Sequence, residues 1–284
     1  MSVAAHSGLR RRWRSHAVAS LFSAPGLLFL LILFVWPVLR LLSLSIEGGS
    51  LAPFEKALTD GLYVQVLLNT ALIAVYVSAI CLALGYPVAY LLTTLREPWV
   101  TIGFAFVLLP FWTSVLVRTY AWMVLLGRNG VVNKLLIQSG LIVTPLPLLN
   151  NTAGVLIGMV HVLLPYMIFP LFSVMQRVDP ALLNAAEGLG APKWQIFWRI
   201  YLPLTLPGVL AGLTLVYILA IGFFITPALL GGGKVIMIAV LIESQIRQFL
   251  DWNFAAALSV VLLGTTLLVY LGLKRLFRGD MQWG

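Results

Sequence analysis

The sequence predicts an all-α, polytopic membrane protein with six transmembrane helices. Of its 284 residues, 61% are hydrophobic and only 10% are charged, and the mean hydropathy is +1.02. A soluble globular domain has about a quarter of its residues charged. The apolar runs are long enough to cross a bilayer, which takes about 20 residues per helix. No polar connection exceeds about 30 residues, too few for an independent core, so we expect the chain to act in or at the membrane.

The predicted spans follow one another with short connections. They cover residues 22–45, 64–95, 100–126, 152–176, 202–229 and 254–273. Residues 135–149 are excluded from the fourth span, because Gly140, Pro145 and Pro147 divide them into pieces too short to cross. The basic and apolar N-terminal region looks like a signal peptide, but its apolar run is too long, so we expect a retained helix.

The distribution of Lys and Arg predicts that both termini are cytoplasmic, because basic residues accumulate in cytoplasmic loops. In this orientation eleven basic residues lie on the inner side: Arg10, Arg11, Arg12, Arg14, Arg96, Arg177, Lys193, Arg199, Lys274, Arg275 and Arg278. The outer side has only five: Lys56, Arg128, Lys134, Lys234 and Arg247. The chain then divides into a basic tail, 1–21, a six-helix domain, 22–273, and a C-terminal tail, 274–284.

The basic residues also explain the net charge of +9 without a nucleic-acid partner. Each Lys or Arg close to an anionic membrane surface contributes about 1 kcal/mol of attraction. We therefore expect membrane lipid, and not nucleic acid, to be the partner of the basic tail.

Residues 177–201, between the fourth and fifth spans, combine helix caps with charge in an otherwise apolar chain. Asp179 followed by Pro180 is a strong helix start, and Gly190 can take the left-handed conformation that ends a helix. Pro192 then begins a second short helix before the fifth span. An ordinary amphipathic helix at the membrane interface is the alternative interpretation.

The spacing inside this loop resembles the cytoplasmic "EAA" signature of bacterial ABC importer permeases. That signature is an acidic residue, two alanines, three variable positions, a glycine, nine variable positions and Ile-x-Leu-Pro. The matching residues are Asn184, Ala185, Ala186, Gly190, Ile200, Leu202 and Pro203. Asn184 stands where the family usually has Glu, and Glu187, about one helical turn later, can supply the missing charge. The resemblance implies that these residues couple the chain to a separate ATPase.

Other stretches resemble permeases of the spermidine/putrescine importer group. They are PVAYLL at 87–92, LLPFWTSVLVRTYAW at 108–122, ITPALLGG at 225–232 and DWNFAAA at 251–257. The resemblance implies the ABC importer permease fold in a bacterial inner membrane, and a polyamine as the transported solute. Permeases for ferric iron, aminophosphonates or other small solutes share much of this pattern, so the cargo stays open.

The resemblance also implies that this chain forms half of a translocation pathway. The implied partners are a second permease, usually a different chain in this group, two cytoplasmic ATPase subunits and an extracytoplasmic solute-binding protein. GGGK at 231–234 lacks the spacer and the Ser or Thr of a P-loop. We therefore expect no enzyme activity and no cofactor in this chain, with ATP and Mg²⁺ bound by the partner ATPase.

The substrate path is predicted from the chemistry that a polycation needs, which is carboxylates at the entrance and aromatic faces where water is scarce. The candidates are Trp112, Tyr120, Trp122, Tyr166, Phe223, Phe224, Glu243, Asp251 and Trp252. Each aromatic residue could instead pack against helices or lipid. Arg118, inside the third span, repels a polycation unless it is paired or turned away. We expect it to snorkel or to cap carbonyls, with substrate contact as the alternative, which leaves room for an anionic or zwitterionic cargo.

A self-sufficient secondary transporter or channel is the competing class. It predicts paired ionisable residues at mid-membrane and an inverted repeat, whereas this chain has Arg118 and His161 at depth and no obvious repeat. His161 is expected to bond a helix carbonyl, with substrate contact as the alternative. No second ligand shares its face, so no metal site is expected. Cys81 is expected to be a buried packing residue.

Overall fold

The computed structural model describes residues 25–46 and 49–277, and the elements in this part of the chain are all helical. The helices are α1 Pro25–Leu44, α2 Ala52–Thr59, α3 Gly61–Thr94, α4 Trp99–Leu108, α5 Val115–Leu126, α6 Val131–Gln138, α7 Thr152–Met175, α8 Pro180–Gly188, α9 Lys193–Ile221, α10 Ile225–Leu230, α11 Ile238–Arg247 and α12 Trp252–Phe277. A 3-10 turn, Leu109–Trp112, follows α4, and a π-helical turn, Phe197–Tyr201, lies inside α9.

Five of these helices are each long and apolar enough to cross a membrane: α1, α3, α7, α9 and α12. The sixth span is a bent pair, Trp99–Trp112 and Val115–Gln138, whose axes differ by 97°. The prediction of six spans therefore agrees with the structure when this pair is counted as one. The prediction of a continuous third span, 100–126, is wrong.

The helix breaks at Thr113, whose backbone is extended. Ser114 then starts α5, because its hydroxyl accepts a hydrogen bond from the Leu116 N–H at 3.3 Å. A capping serine offers exposed amides a partner that a continuing helix does not need. Ser114 is visible in the sequence as a possible helix cap, but the continuous apolar character of residues 100–126 favoured a single span.

Two other boundaries differ from the predictions. The short helix expected after Pro192 is the first part of α9, which continues through Pro203 and Pro207 to Ile221. The fourth predicted span agrees closely with α7, and the fifth begins earlier than predicted. The predicted tail 1–21, and the residues beyond 277, lie outside the described part of the chain.

The core consists of α3, α7 and α9, which bury Val77, Met159, Met167 and Val216 among others. Small residues let α9 approach α7 closely: a Cβ at Gly212 would lie 2.6 Å from Met167 Sδ. A Cβ at Gly208 would lie 3.1 Å from the Pro170 carbonyl oxygen. This is the packing role that small residues four apart have in membrane helices. Cys81 is fully buried in the same core, as predicted.

Polar contacts hold the short helices at one end of this core. Thr70 Oγ1 of α3 accepts a hydrogen bond from the Ile238 N–H, which starts α11, at 2.9 Å. The hydroxyls of Thr119 and Thr226 are 3.2 Å apart and join α5 to α10. We call this end of the bundle the α11 end, and the end that carries α8 the α8 end. These buried hydrogen bonds fix α10 and α11 against the spanning helices.

Candidate coupling loop and translocation surface

The helix α8 is capped at both ends by residues of the loop itself. The Asp179 carboxylate accepts a hydrogen bond from the Ala181 N–H at 2.8 Å. Gly190 has φ +83°, its N–H donates to the Glu187 carbonyl at 2.9 Å, and the Ala191 N–H donates to the Ala186 carbonyl at 3.1 Å. This pair of bonds is the Schellman arrangement. The predicted caps at both ends of the loop helix are therefore confirmed.

The predicted coupling residues of α8 do not share one face. Asn184, Ala185 and Glu187 are exposed, whereas Ala186 is only 8% exposed. Two exposed leucines that the sequence analysis did not single out, Leu182 and Leu189, lie three residues before and four after Ala185. The i, i+3, i+7 spacing was the signal that could have found them, because it places all three on one helical face.

Leu189 is 89% exposed, although it is apolar. We call Leu182, Ala185 and Leu189 the α8 face. The other side of α8 carries the half-buried Leu183, which packs against the same core cluster as α3, α7 and α9. The helix is therefore attached along one side and open along the other.

The remaining predicted coupling residues belong to α9. Ile200 and Leu202 are half-buried, Pro203 is exposed, and the π-helical turn ends at Tyr201, which is buried. These positions lie in the first part of a spanning helix, and they are therefore separate from α8.

Aromatic contacts join this end of α9 to the end of α3. The rings of Tyr90 and Tyr201 meet edge to face at 5.4 Å, and those of Tyr86 and Phe197 at 6.0 Å. The hydroxyls of Tyr86 and Thr205 are 3.0 Å apart and form a hydrogen bond. The sequence analysis missed Tyr86 and Tyr90, whose spacing of four residues places them on one face of α3.

A cavity of about 120 Å³ lies between α5, α7 and α9, beside the 3-10 turn. Its polar members are Arg118 and Tyr166, and its aromatic walls are Phe111 and Phe223. The rings of Phe111 and Tyr166 are 5.1 Å apart. The structure thus brings together two predicted path residues, Tyr166 and Phe223, with Arg118. Phe111, next to the predicted Trp112, was missed.

Trp122 lies near this cavity but its polar edge is already occupied. Its indole N–H donates a hydrogen bond to Nδ1 of His161 at 3.0 Å. The prediction that His161 bonds a helix carbonyl is therefore wrong, since an indole is its partner. A neutral imidazole that accepts at Nδ1 carries its proton on Nε2.

The other aromatic candidates do not converge on the cavity. Trp112 is 81% exposed at the end of the 3-10 turn, and Tyr120 and Phe224 are also exposed. Trp252 is exposed at the start of α12, at the α11 end of the bundle.

The two candidate entrance carboxylates also lie at the α11 end, and each has a local partner. Glu243 is paired with Arg247 at 3.2 Å, and Asp251 caps α12 by accepting from the Phe254 N–H at 2.9 Å. Among the described residues, no group of three or more His, Cys, Asp or Glu side chains could hold a metal ion.

Comparison with known proteins gives matches over nearly the whole chain. Residues 2–281 match the family model described as "Binding-protein-dependent transport system inner membrane component". The spermidine/putrescine transport system permease protein PotB of Haemophilus influenzae is 35% identical over 283 residues, which is 96% of this chain and 98% of the relative. PotB of Escherichia coli K12 is 38% identical over 265 residues, which is 89% of this chain and 96% of the relative.

A more distant relative and a solved structure extend the comparison. The sulfate transport system permease protein CysW of Synechocystis is 26% identical over 260 residues, 90% of this chain and 92% of the relative. A crystal structure of a bacterial alginate ABC transporter, in complex with an alginate pentasaccharide-bound periplasmic protein, contains a chain with a TM-score of 0.74 and 18% identity. The match covers 98% of each chain.

Proposed function

Because this chain belongs to the family of binding-protein-dependent transport system inner membrane components, we propose that it imports a polyamine such as spermidine or putrescine. The chain is a multi-pass inner-membrane protein and a permease subunit of an ABC importer. The single observation that carries the polyamine proposal is the 35% and 38% identity to two PotB proteins over most of both chains.

The cavity chemistry is compatible with a polyamine. The rings of Phe111, Tyr166 and Phe223 line a cavity that is not fully enclosed. Aromatic faces attract ammonium groups most strongly where water is scarce. In our proposal this surface forms half of the translocation pathway, and a second permease subunit, different from this chain, forms the other half.

The α8 face is the proposed contact with a cytoplasmic ATPase. Leu182, Ala185 and Leu189 form an exposed apolar strip outside the spanning helices, and burial of this strip against a partner would remove apolar surface from water. Asn184 and Glu187 border the strip and supply polar contacts. In this proposal two ATPase subunits bind ATP and Mg²⁺ and hydrolyse the ATP, both termini of this chain are cytoplasmic, and the permease transmits the motion.

The proposed route of transmission follows α9. This helix has 29 residues, which is about 43 Å at 1.5 Å per residue. Its first part is held to α3 by Tyr201 and Thr205, and Phe223 follows its last turn. A displacement of α8 is therefore passed along packed helices to the cavity wall, which is the kind of shear motion that drives many switching transitions.

The α11 end is the proposed contact with an extracytoplasmic solute-binding protein. The alginate transporter was crystallised with a periplasmic protein bound, and we assign a partner of the same kind to this chain. Glu243 and Asp251 lie at this end and would attract an arriving polycation.

An anionic solute is the second candidate cargo, because Arg118 lines the cavity. The relationship to a sulfate permease fits this alternative, although at lower identity. Ferric iron, aminophosphonates and other small solutes are further alternatives. A secondary transporter is disfavoured by the family membership.

The test is ATP-dependent uptake by the complete complex, reconstituted in vesicles with the subunits encoded by neighbouring genes. We expect uptake of labelled spermidine that unlabelled putrescine reduces and that sulfate, ferric ion or an aminophosphonate does not. Omission of the ATPase subunits should abolish this uptake. Uptake of sulfate in place of spermidine would overturn the polyamine proposal and favour the anionic alternative.

A further inference from the structure

Arg118 is a cation inside the bent third span, and none of the carboxylates that the structure describes forms an ion pair with its side chain. It is the fourth residue of α5, and it lines the cavity with Tyr166. Its Nε atom is buried and has no hydrogen-bond partner among the described residues. Such a group is costly in a membrane, so intramembrane arginines are normally paired.

The acidic residues of the chain cannot supply the pairing charge from within a span. The sequence contains nine Asp and Glu residues. None lies in α1, α3, α7, α9, α12 or the bent pair. Of those that the structure describes, only Glu243 forms an ion pair, with Arg247 at the α11 end. A second copy of this chain would also have no Asp or Glu in its spans. A homodimer would therefore place two arginines, and no carboxylate, along one pathway.

Phospholipid phosphate is also poorly placed to pair with Arg118. Val162 and Tyr166, which line the cavity with it, lie in the middle third of α7. The hydrocarbon core is about 30 Å thick, so phosphates lie roughly 15 Å from its centre. In the proposed function, on which this inference rests, the second permease forms the other half of the pathway and so lies opposite the cavity that Arg118 lines.

We propose that the second permease is a different chain and carries an Asp or Glu, within one of its spans, whose carboxylate pairs with Arg118 across the translocation pathway. A bidentate pair satisfies the buried Nε and one further guanidinium N–H. It also removes the net positive charge that would repel a polycation from the cavity. Arg118 is in this view a positioning residue that faces a protein carboxylate and does not bind the cargo.

The test uses the whole complex in membranes, with the photoreactive residue p-benzoylphenylalanine at position 118. Irradiation should cross-link this position to a spanning segment of the second permease that contains Asp or Glu, identified by mass spectrometry. Position 117 is the matched control, because Val117 is 61% exposed on another face of α5. Cross-links from position 118 only to lipid, or only within this chain, would overturn the proposal.

A charge exchange then tests the pair itself. Arg118→Glu, and separately the partner carboxylate changed to Arg, should each reduce uptake by tenfold or more, on the order expected when one member of a buried pair is left alone. Both changes together should restore at least part of the loss. Failure of the exchange to restore any uptake would overturn the pairing.

The outcome is separable from the choice of cargo. Uptake is measured with whichever solute the wild-type complex imports, and cross-linking needs no solute at all. If the wild-type complex imports another solute while the cross-link and the exchange behave as expected, the polyamine proposal fails and the pairing stands.

Discussion

The hydroxyl of Tyr86 in α3 and the hydroxyl of Thr205 in α9 are 3.0 Å apart and hydrogen-bonded, although 119 residues separate them in the chain. The Thr205 hydroxyl also donates a hydrogen bond to the Leu202 carbonyl in the preceding turn of α9, at 3.0 Å. The contact between Tyr86 and Thr205 ties the second spanning helix, α3, to α9, the helix that follows α8. It is the polar part of an otherwise aromatic junction.

The first prediction concerns this hydrogen bond. Tyr86→Phe removes the hydroxyl and keeps the ring that packs on Phe197. We expect a loss of about 0.5–1.5 kcal/mol of stabilisation at the junction. The measurable result is fewer solute molecules imported per ATP hydrolysed, with normal insertion. Tyr90→Phe is the matched control, because no hydrogen bond of its hydroxyl holds α9; equal coupling loss in both variants would contradict the prediction.

The second prediction concerns the end of α8. Gly190 has φ +83°, a conformation that a β-branched residue adopts only with strain of roughly 1–3 kcal/mol. Gly190→Val should therefore distort the turn and lower ATP-driven uptake while membrane insertion, measured by protease mapping, stays normal. Gly188→Ala is the control, because Gly188 lies within the helix and a Cβ there meets no atom within 4 Å. Full uptake by the Gly190→Val complex would argue against a role for the turn.

The third prediction concerns the α8 face. Leu189→Asp places a charge in the exposed apolar strip, so recovery of the ATPase on affinity purification of this chain should fall several-fold. Leu141→Asp is the matched control at another exposed leucine, 73% exposed, outside the loop. Equal ATPase recovery from the wild type and both variants would show that the α8 face is not the docking surface.

The fourth prediction concerns the two carboxylates at the α11 end. Glu243→Gln combined with Asp251→Asn removes both charges, while the Asn side chain can still cap α12. For a polycationic cargo the half-saturating concentration should rise roughly two- to thirtyfold, from about 0.2–1 kcal/mol for each of the two charges. Glu97→Gln, which can keep the contact with Thr101, is the control at the other end of the bundle. An unchanged half-saturating concentration would show that Glu243 and Asp251 do not attract the cargo at the entrance.

Sequence reasoning succeeded where the signal is local. Asp179, Pro180 and Gly190 define α8 because a cap depends on the residue itself and on amides or carbonyls one turn away. It failed at 100–126, where a capping serine outweighed a continuous apolar run. It also treated Ala185 and Ala186 as one contact face, although the bundle buries the second of them.

The candidate substrate path shows the same difference between what residue type predicts and what helix packing decides. Tyr166, Phe223 and Arg118 were all identified by residue type, but only the packing of α5, α7 and α9 brings them to one cavity. The packing of α5 against α7 also gives the Trp122 N–H a partner, His161, so this N–H is not available to a solute. Residue type indicates which chemistry is available, whereas helix rotation decides which side chains meet.

The sequence alone therefore determined that this protein is a helical membrane permease with about six spans and a capped loop between the fourth and fifth. The spans and the loop follow from hydropathy and helix caps, which are local properties of the chain, whereas the permease family follows from the resemblance of the loop to a known signature. The tertiary structure decided the 97° bend, the junction of Tyr86 with Thr205 and the cavity around Arg118. Each of these depends on how helices distant in the chain are rotated and packed against one another, and no short stretch of sequence encodes that rotation.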